Sequence, residues 1–241
     1  MRHAILGDIH ANIHALEAVV EDARGQGCTS FHSLGDIVGY NARPAECVDL
    51  MKGLGGICVL GNHDEAASGE GSLDALSETA ASSLLWTRGM LGSDRKAWLS
   101  SLRPVRNLRG ITLVHATLDT PLSWGYVRTP DQAELSMACQ GTPLCFIGHT
   151  HIPRVYAKGI GEIHPPWEEG WSVPSGQKFL VNAGSVGQSR DGDPRAAYIL
   201  FDEGEGCLFL RRVEYEVASA VADVRAAGLS ERIAKRLIAG S

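Results

Sequence analysis

Phe146-Ile147-Gly148-His149-Thr150-His151-Ile152-Pro153 is a short apolar run that ends at a glycine and then places two histidines two positions apart. The run reads as a buried strand, and from the extended loop beyond it both imidazoles can face one point. Neutral imidazole is a good ligand for divalent transition metals. A pair of histidines alone is ambiguous. Four other places, however, repeat the pattern of an apolar strand followed by a carboxylate, amide or imidazole: Asp8-Ile9-His10, Gly35-Asp36, Gly61-Asn62-His63-Asp64 and Val114-His115. Five of the nine histidines lie in these strand ends, which turn or cap roles do not explain.

Outward from these points the chain alternates. Residues 3–6 predict a strand that presents Asp8 and His10. Asn12 is expected to cap a helix with Leu16, Val19, Val20 and Ala23 on one face, ended by Gly25 and Gly27. Residues 30–34 predict a strand delivering Asp36. A helix from Pro44 turns Cys47, Val48, Met51 and Leu54 inward and stops at Gly55-Gly56, and a strand over 57–60 delivers Asn62 and His63. This alternation predicts an α/β protein with its site at the carboxyl ends of strands. Residues 69–71 mark a loop, 73–90 a long helix, and Ser93 or Asp94 caps another. Strands over 111–114 and 144–147 run into His115 and His149. Beyond Pro153, runs at 155–158, 178–181, 196–201 and 207–213 predict a second, largely antiparallel sheet. Residues 162–176, rich in Pro, Gly, Trp and Glu, read as a surface loop. Residues 214–241 form a helical tail broken at Gly228-Leu229-Ser230, with Ser230 as a cap, packed on the same domain. No boundary divides residues 1–241, so a single domain is expected.

The composition fits a globular chain, with 44% hydrophobic and 21% charged residues among 241. A formal charge of −6 argues against a broad nucleic-acid surface, although bound cations reverse the local sign and leave nucleotides open as substrates. No apolar run is long enough for a membrane span, and no targeting pattern precedes Gly7-Asp8, so a cytoplasmic location is expected. Cysteines 28, 47, 58, 139, 145 and 207 have no ligand spacing and read as buried free thiols. The residues leave oligomeric state open, a homo-oligomer included.

Carboxylate, carboxamide and imidazole groups suit two divalent cations that share a carboxylate and a water. Asp8, His10 and His151 are expected around one cation, Asn62, His115 and His149 around the other, and Asp36 between them. The mixed donors suit Mn, Fe, Co, Ni or Zn better than Mg. His63, next to Asn62, is expected to face the pocket as proton donor to a leaving oxygen or as a transition-state stabiliser. Asp64 either orients it or holds its loop. The chemistry this implies is hydrolysis of a phosphate ester by in-line attack of a metal-bridging hydroxide. His3, His32 and His164 read as structural or surface residues.

In their order, Asp-x-His, Gly-Asp, Gly-Asn-His-Asp, a lone His and Gly-His-x-His, these blocks resemble the calcineurin-like metallophosphoesterase superfamily over residues 5–195. The resemblance implies a four-layer α/β/β/α sandwich, two packed mixed β-sheets flanked by helices (the metallo-dependent phosphatase fold). It also implies a dinuclear centre often active with manganese, held by Asp8, His10, Asp36, Asn62, His115, His149 and His151, with His63 as donor or stabiliser. More narrowly, Asp8-Ile9-His10-Ala11-Asn12, Gly35-Asp36-Ile37-Val38-Gly39-Tyr40 and Asn182-Ala183-Gly184-Ser185-Val186-Gly187-Gln188 are similar to the YfcE-like phosphodiesterases. There Ser185 would contact phosphate. Arg190 would either clamp a phosphate or pair with Asp191 or Asp193. Three departures stand out. Gly39-Tyr40-Asn41 replaces the Asp and Arg of the protein phosphatases, which disfavours that activity. Ala11 stands where Gly is usual, and Ala116-Thr117-Leu118-Asp119 follows His115 in place of a Gly-rich stretch.

The function expected is therefore a phosphodiesterase or phosphatase acting on a small phosphorylated substrate, with no membrane partner. The alternative is a nucleotide or dinucleoside polyphosphate hydrolase, with Tyr40, Trp124 and Tyr126 as base-recognition candidates. A metal-stabilised scaffold without catalysis is the reading from another class, and a missing ligand or missing His63 would favour it.

Overall fold

The computed structural model describes residues 1–69, 73 and 76–241. In chain order its elements are β1 (Arg2–Leu6), α1 (Ile13–Gly25), β2 (Ser30–Ser33), α2 (Pro44–Leu54), α3 (Asn62–Ser68), α4 (Glu78–Met90), α5 (Ser93–Ser100), β3 (Val105–Leu108), β4 (Ile111–Val114), α6 (Pro130–Ala138), β5 (Leu144–Ile147), β6 (Arg154–Ala157), β7 (Gly161–Ile163), β8 (Trp171–Ser172), β9 (Phe179–Asn182), β10 (Ala196–Asp202), β11 (Cys207–Val213), α7 (Val217–Ala226) and α8 (Glu231–Ala239). Local signals set several boundaries. Asn12 Oδ1 accepts the Ala15 amide and starts α1. Pro44 opens α2, and Gly55 at φ 68° ends it. Ser230 caps α8, as expected from the break in the tail.

The strands form two mixed sheets, ordered β2-β1-β10-β11-β8 and β3-β4-β5-β9-β6-β7. Their alternating side chains explain why they stack. In β1, Ile5 faces the other sheet beside Phe146, Val181 and Ile199, while Ala4 and Leu6 turn outward onto α1 and α2. In β5, Leu144 and Phe146 point inward, while Cys145 and Ile147 meet Ala133 and Met137 of α6. Strands apolar on both faces thus lie between a partner sheet and a helix layer, which is the α/β sandwich of two sheets flanked by helices. No described helix is long and apolar enough to cross a membrane.

Several local expectations are corrected. The strands beyond Pro153 do not form a sheet of their own: β10 pairs with β1 and carries β11 into that sheet, and β9 pairs with β5 and carries β6 into the other. β10 is buried along all seven residues, so it needs a partner on each edge and takes β1 and β11. The run at 57–60 pairs only through the bridges Ser33–Cys58 and Val59–Arg103, because α3 begins at Asn62 and leaves no length for a ladder. α4 starts at Glu78 behind Ser77, later than expected; residues 70–72 and 74–75 of the expected loop and helix lie outside the described residues. Gly92 is the N-cap of α5, which makes Ser93 its first residue. Residues 162–176 carry β8, and Trp167 and Trp171 pack against the inter-sheet core. Of the six free cysteines, Cys139 is exposed and Cys207 only partly buried.

Phe146 is fully buried where the sheets meet, 6.2 Å between ring centroids from Phe201. Phe146→Ala is expected to destabilise the metal-free protein by about 3–5 kcal/mol in urea unfolding, whereas Leu135→Ala on the exposed face of α6 should stay within about 0.5 kcal/mol. Equal shifts of the two midpoints would contradict this placement of the core.

Candidate metal centre

The strand-end turns share an unusual backbone. Nine described non-glycine residues have positive φ, and five of them are Asp8 (53°), His10 (47°), Asp36 (52°), His149 (66°) and His151 (62°). Side chains rarely adopt this conformation, at a cost of about 1–3 kcal/mol each, so the surroundings must enforce it. The Asp8 carbonyl accepts from Ser185 Oγ at 2.8 Å and from the Gly187 amide at 3.0 Å. The His10 amide donates to Asp36 O, and the His10 carbonyl accepts from Asn41 Nδ2, both at 2.8 Å. Two glycines admit the carboxylates: a Cβ at Gly148 would lie 2.5 Å from Asp8 Oδ2, and one at Gly61 would lie 2.2 Å from Asp36 Oδ1.

The turns bring the expected ligands into two adjoining clusters. In the first, His10 Nε2 lies 3.1 Å from His151 Nε2, and Asp8 Oδ1 lies 3.3 Å from His151 Nε2. In the second, His115 Nε2 lies 3.0 Å from His149 Nδ1 and 3.1 Å from Asn62 Oδ1. Asp36 Oδ2 belongs to both, 3.6 Å from His10 Nε2 and 3.4 Å from His115 Nε2.

The outer ring nitrogens show why cations fit. His10 Nδ1 donates to Val38 O at 3.1 Å, His115 Nδ1 to Leu34 O at 2.9 Å, His151 Nδ1 to Gln188 O at 2.6 Å and His149 Nε2 to Trp124 O at 3.0 Å. A carbonyl can only accept, so these nitrogens carry the proton and each neutral ring turns a lone pair inward. Facing lone pairs about 3 Å apart cannot bond one another; a cation between them satisfies both. The described His and Asp groups therefore form a dinuclear divalent-cation site, with clusters that share Asp36.

Burial also sets the charges. It drives the Asp8 carboxyl well above its ordinary range, with Asp36 adding to the shift, and drives Asp36 up to about 8. His115 falls to about 4 by burial. His10, His149 and His151 fall well below the ordinary imidazole value, by burial first and then because a proton on one ring would be disfavoured by a neighbouring histidine or by Arg190. Neutral rings and reluctant carboxylates suit cation binding, because the metal's own charge restores the ionised carboxylates.

The remaining candidates divide. His63, in the first turn of α3, brings its ring within 4.8 Å of the His10 and Asp36 donor atoms, and its Nδ1 has no hydrogen-bond partner among the described residues. Asp64 does not bond to His63: Oδ1 accepts from Ile37 and Val38 amides at 2.9 and 3.3 Å, and Oδ2 accepts from Gly61 at 3.2 Å. Of its two expected roles, its contacts describe the one that holds the loop. Arg190 pairs with neither expected aspartate, since Asp191 bonds Arg212 and Asp193 bonds Arg195. Arg190 instead reaches Tyr40 Oη and Gln188 Oε1, both at 3.4 Å, and lines a cavity of about 200 Å³ with Asp36, Asn62, His63, His149 and His151. Ser185 departs from expectation: it is fully buried, and its hydroxyl serves Asp8 O and the Gln188 amide. A second cavity, of about 220 Å³, adjoins the first across Asn62, Tyr126 and His149 and includes Trp124. Tyr126 stacks on His149 at 4.1 Å. Arg236 of α8 also lines the first cavity, and no sequence signal distinguished it from other basic residues of that helix.

Comparison with known proteins agrees with this geometry. Residues 1–206 match the calcineurin-like phosphoesterase superfamily domain. The chain is 36% identical to an uncharacterized protein of Methanocaldococcus jannaschii, over 98% of this chain and 97% of that one. It superposes on a metallophosphoesterase from Sphaerobacter thermophilus with a TM-score of 0.90 and 40% identity, covering 100% and 99% of the two chains. The fold is also that of a hypothetical protein from Pyrococcus horikoshii OT3, with a TM-score of 0.80 at 19% identity, covering 100% and 98%. A match that spans the paired sheets and every strand-end turn leaves one conclusion: the chain belongs to the calcineurin-like phosphoesterase superfamily.

Proposed function

We propose that this chain hydrolyses phosphomonoester or phosphodiester bonds of a small phosphorylated substrate. One cation is held by Asp8, His10 and His151, the other by Asn62, His115 and His149, with Asp36 shared. The observation that carries this reading is the single oxygen, Asp36 Oδ2, between His10 and His115 at 3.6 and 3.4 Å. When bound, the cation pair supplies an acidified water and Lewis-acid pull on phosphoryl oxygens. Manganese is the first metal to test, ahead of Fe, Co, Ni, Zn and Mg.

The chain's own residues supply the rest. Asn62 contributes a neutral oxygen, which keeps the site net positive toward an anion. Arg190 holds a phosphoryl oxygen with a guanidinium free of carboxylate partners among the described residues. Burial first, then His115, His149 and Arg190, keeps the His63 ring neutral, so it acts as an N–H donor to the charge developing on the leaving oxygen. Asp64 positions His63 by fixing Gly61 and the Ile37–Val38 turn. The narrower kinship with YfcE-like phosphodiesterases rests on the sequence blocks quoted above. The nucleotide or dinucleoside polyphosphate reading is the alternative, favoured by Trp124 and Tyr126 beside His149 as an aromatic wall. The scaffold reading would be favoured by a missing candidate ligand or a missing His63, and the sequence lacks none of them.

With manganese and bis(4-nitrophenyl) phosphate, Asp36→Asn and His115→Ala are expected to fall below about one hundredth of the parent rate. His63→Ala should lower kcat by about 10²–10³-fold while keeping two cations per chain by metal analysis; loss of a cation with it would make His63 a ligand instead.

Metal affinity should also depend on pH in a definite direction. The cations need Asp36 ionised, and its carboxyl holds a proton up to about 8, whereas the rings are already neutral above pH 6. Affinity for Mn²⁺ should therefore rise between pH 6 and 8, by about tenfold per unit for each proton displaced. Calorimetry in buffers of different ionisation enthalpy should register proton release at pH 7, and none at all would contradict the protonation assigned to Asp36.

A further inference from the structure

We propose that Arg236 and Arg190 together form a second anion subsite, so that the substrate carries a further phosphate group beside the scissile one. The proposal rests on the phosphoesterase reading above. Arg236 enters the cavity from α8, beyond the 1–206 segment that matches the superfamily domain, so the C-terminal helices add it to a site the domain already completes. Its position is fixed. Ile233, Ala234 and Leu237 of α8 share one apolar cluster with Val221 and Val224 of α7, with Ala80 and with Tyr40. Tyr40 lines the cavity together with both arginines, and Arg190 Nη2 lies 3.4 Å from its hydroxyl.

Both guanidiniums are partly buried, and neither has a carboxylate partner among the described residues, while Arg190 Nε is buried without any hydrogen-bond partner. Like charges facing one cavity repel each other and lose hydration, which an anion held between them offsets. A role in binding only the scissile phosphoryl does not account for both. Arg190 is held against Tyr40 Oη and Gln188 Oε1 in the wall of the cavity that Asp36, His63 and His149 also line, and Arg236 enters that same cavity from α8 as a second, separate guanidinium. The cavity thus presents two guanidiniums beside the cluster that takes the reacting phosphoryl group.

The test is calorimetric titration of the manganese-loaded full chain with methylphosphonate and with methylenediphosphonate, whose P–C–P link resists hydrolysis. The parent should bind the diphosphonate more tightly. Arg236→Ala should lose affinity for it by about tenfold more than for methylphosphonate, and Arg236→Lys should recover part of that difference. Equal losses for the two ligands, or a parent with no preference for the diphosphonate, would overturn the subsite. Binding needs no turnover, so the two proposals fail separately. A chain that hydrolyses phosphate esters without this preference loses the subsite alone, and an inert chain that shows it loses only the phosphoesterase reading.

Discussion

The structure depends on the Asp36 carboxylate, whose Oδ2 faces imidazoles of two clusters while Oδ1 accepts the His63 amide at 2.8 Å. A carboxylate this deeply buried among neutral rings is unfavourable by several kcal/mol unless positive charge accompanies it. Among the described residues no arginine or lysine forms an ion pair with Asp36; Arg190 acts on it only through space. The left-handed backbone at five of the site residues adds a further cost. Both costs make sense only if the arrangement is held for cations, which satisfy the inward lone pairs and ionise the acids together.

The two sheets make that arrangement rigid. Asp8 follows β1 of one sheet, and both its oxygens accept the amide of His149, which follows β5 of the other, at 3.1 and 3.0 Å. Gly148 donates to His115 O, tying the turns after β4 and β5. At Gly7 a Cβ would lie 2.9 Å from Gly184 O, so the backbones of the turns meet without an intervening side chain. Beneath them, Ile5, Phe146, Val181 and Ile199 fill the space between the sheets. Apolar packing thus fixes the separation of the sheets, and through it the spacing of ligands that are distant along the chain.

The seven candidate ligand positions stood out in the sequence because each follows a short apolar run with a residue type suited to a divalent cation. That β1 and β5 are buried strands was readable for the same local reason, since each is a short apolar run ended by a glycine. What the sequence could not convey was partnership. A run such as 196–202 looks the same whether it begins its own sheet or lies between β1 and β11, because its neighbours come from both ends of the chain. The role of Asp64 hinges on three backbone amides that only the folded loop supplies. Arg236 was invisible for a related reason: in the sequence it is one basic residue of an amphipathic helix, and only the docking of α8 beside Tyr40 brings it to the cavity.

The cavity over the candidate ligands is lined by Tyr40, Tyr126, Arg190 and Arg236, and an adjoining one by Trp124 and Tyr126. All of it presupposes that two cations share one carboxylate oxygen. Anomalous X-ray diffraction from crystals grown with manganese tests this most directly. The account predicts two anomalous peaks about 3.5–4 Å apart, with Asp36 Oδ2 between them. A single peak, or a pair with Asp36 outside it, would contradict the account.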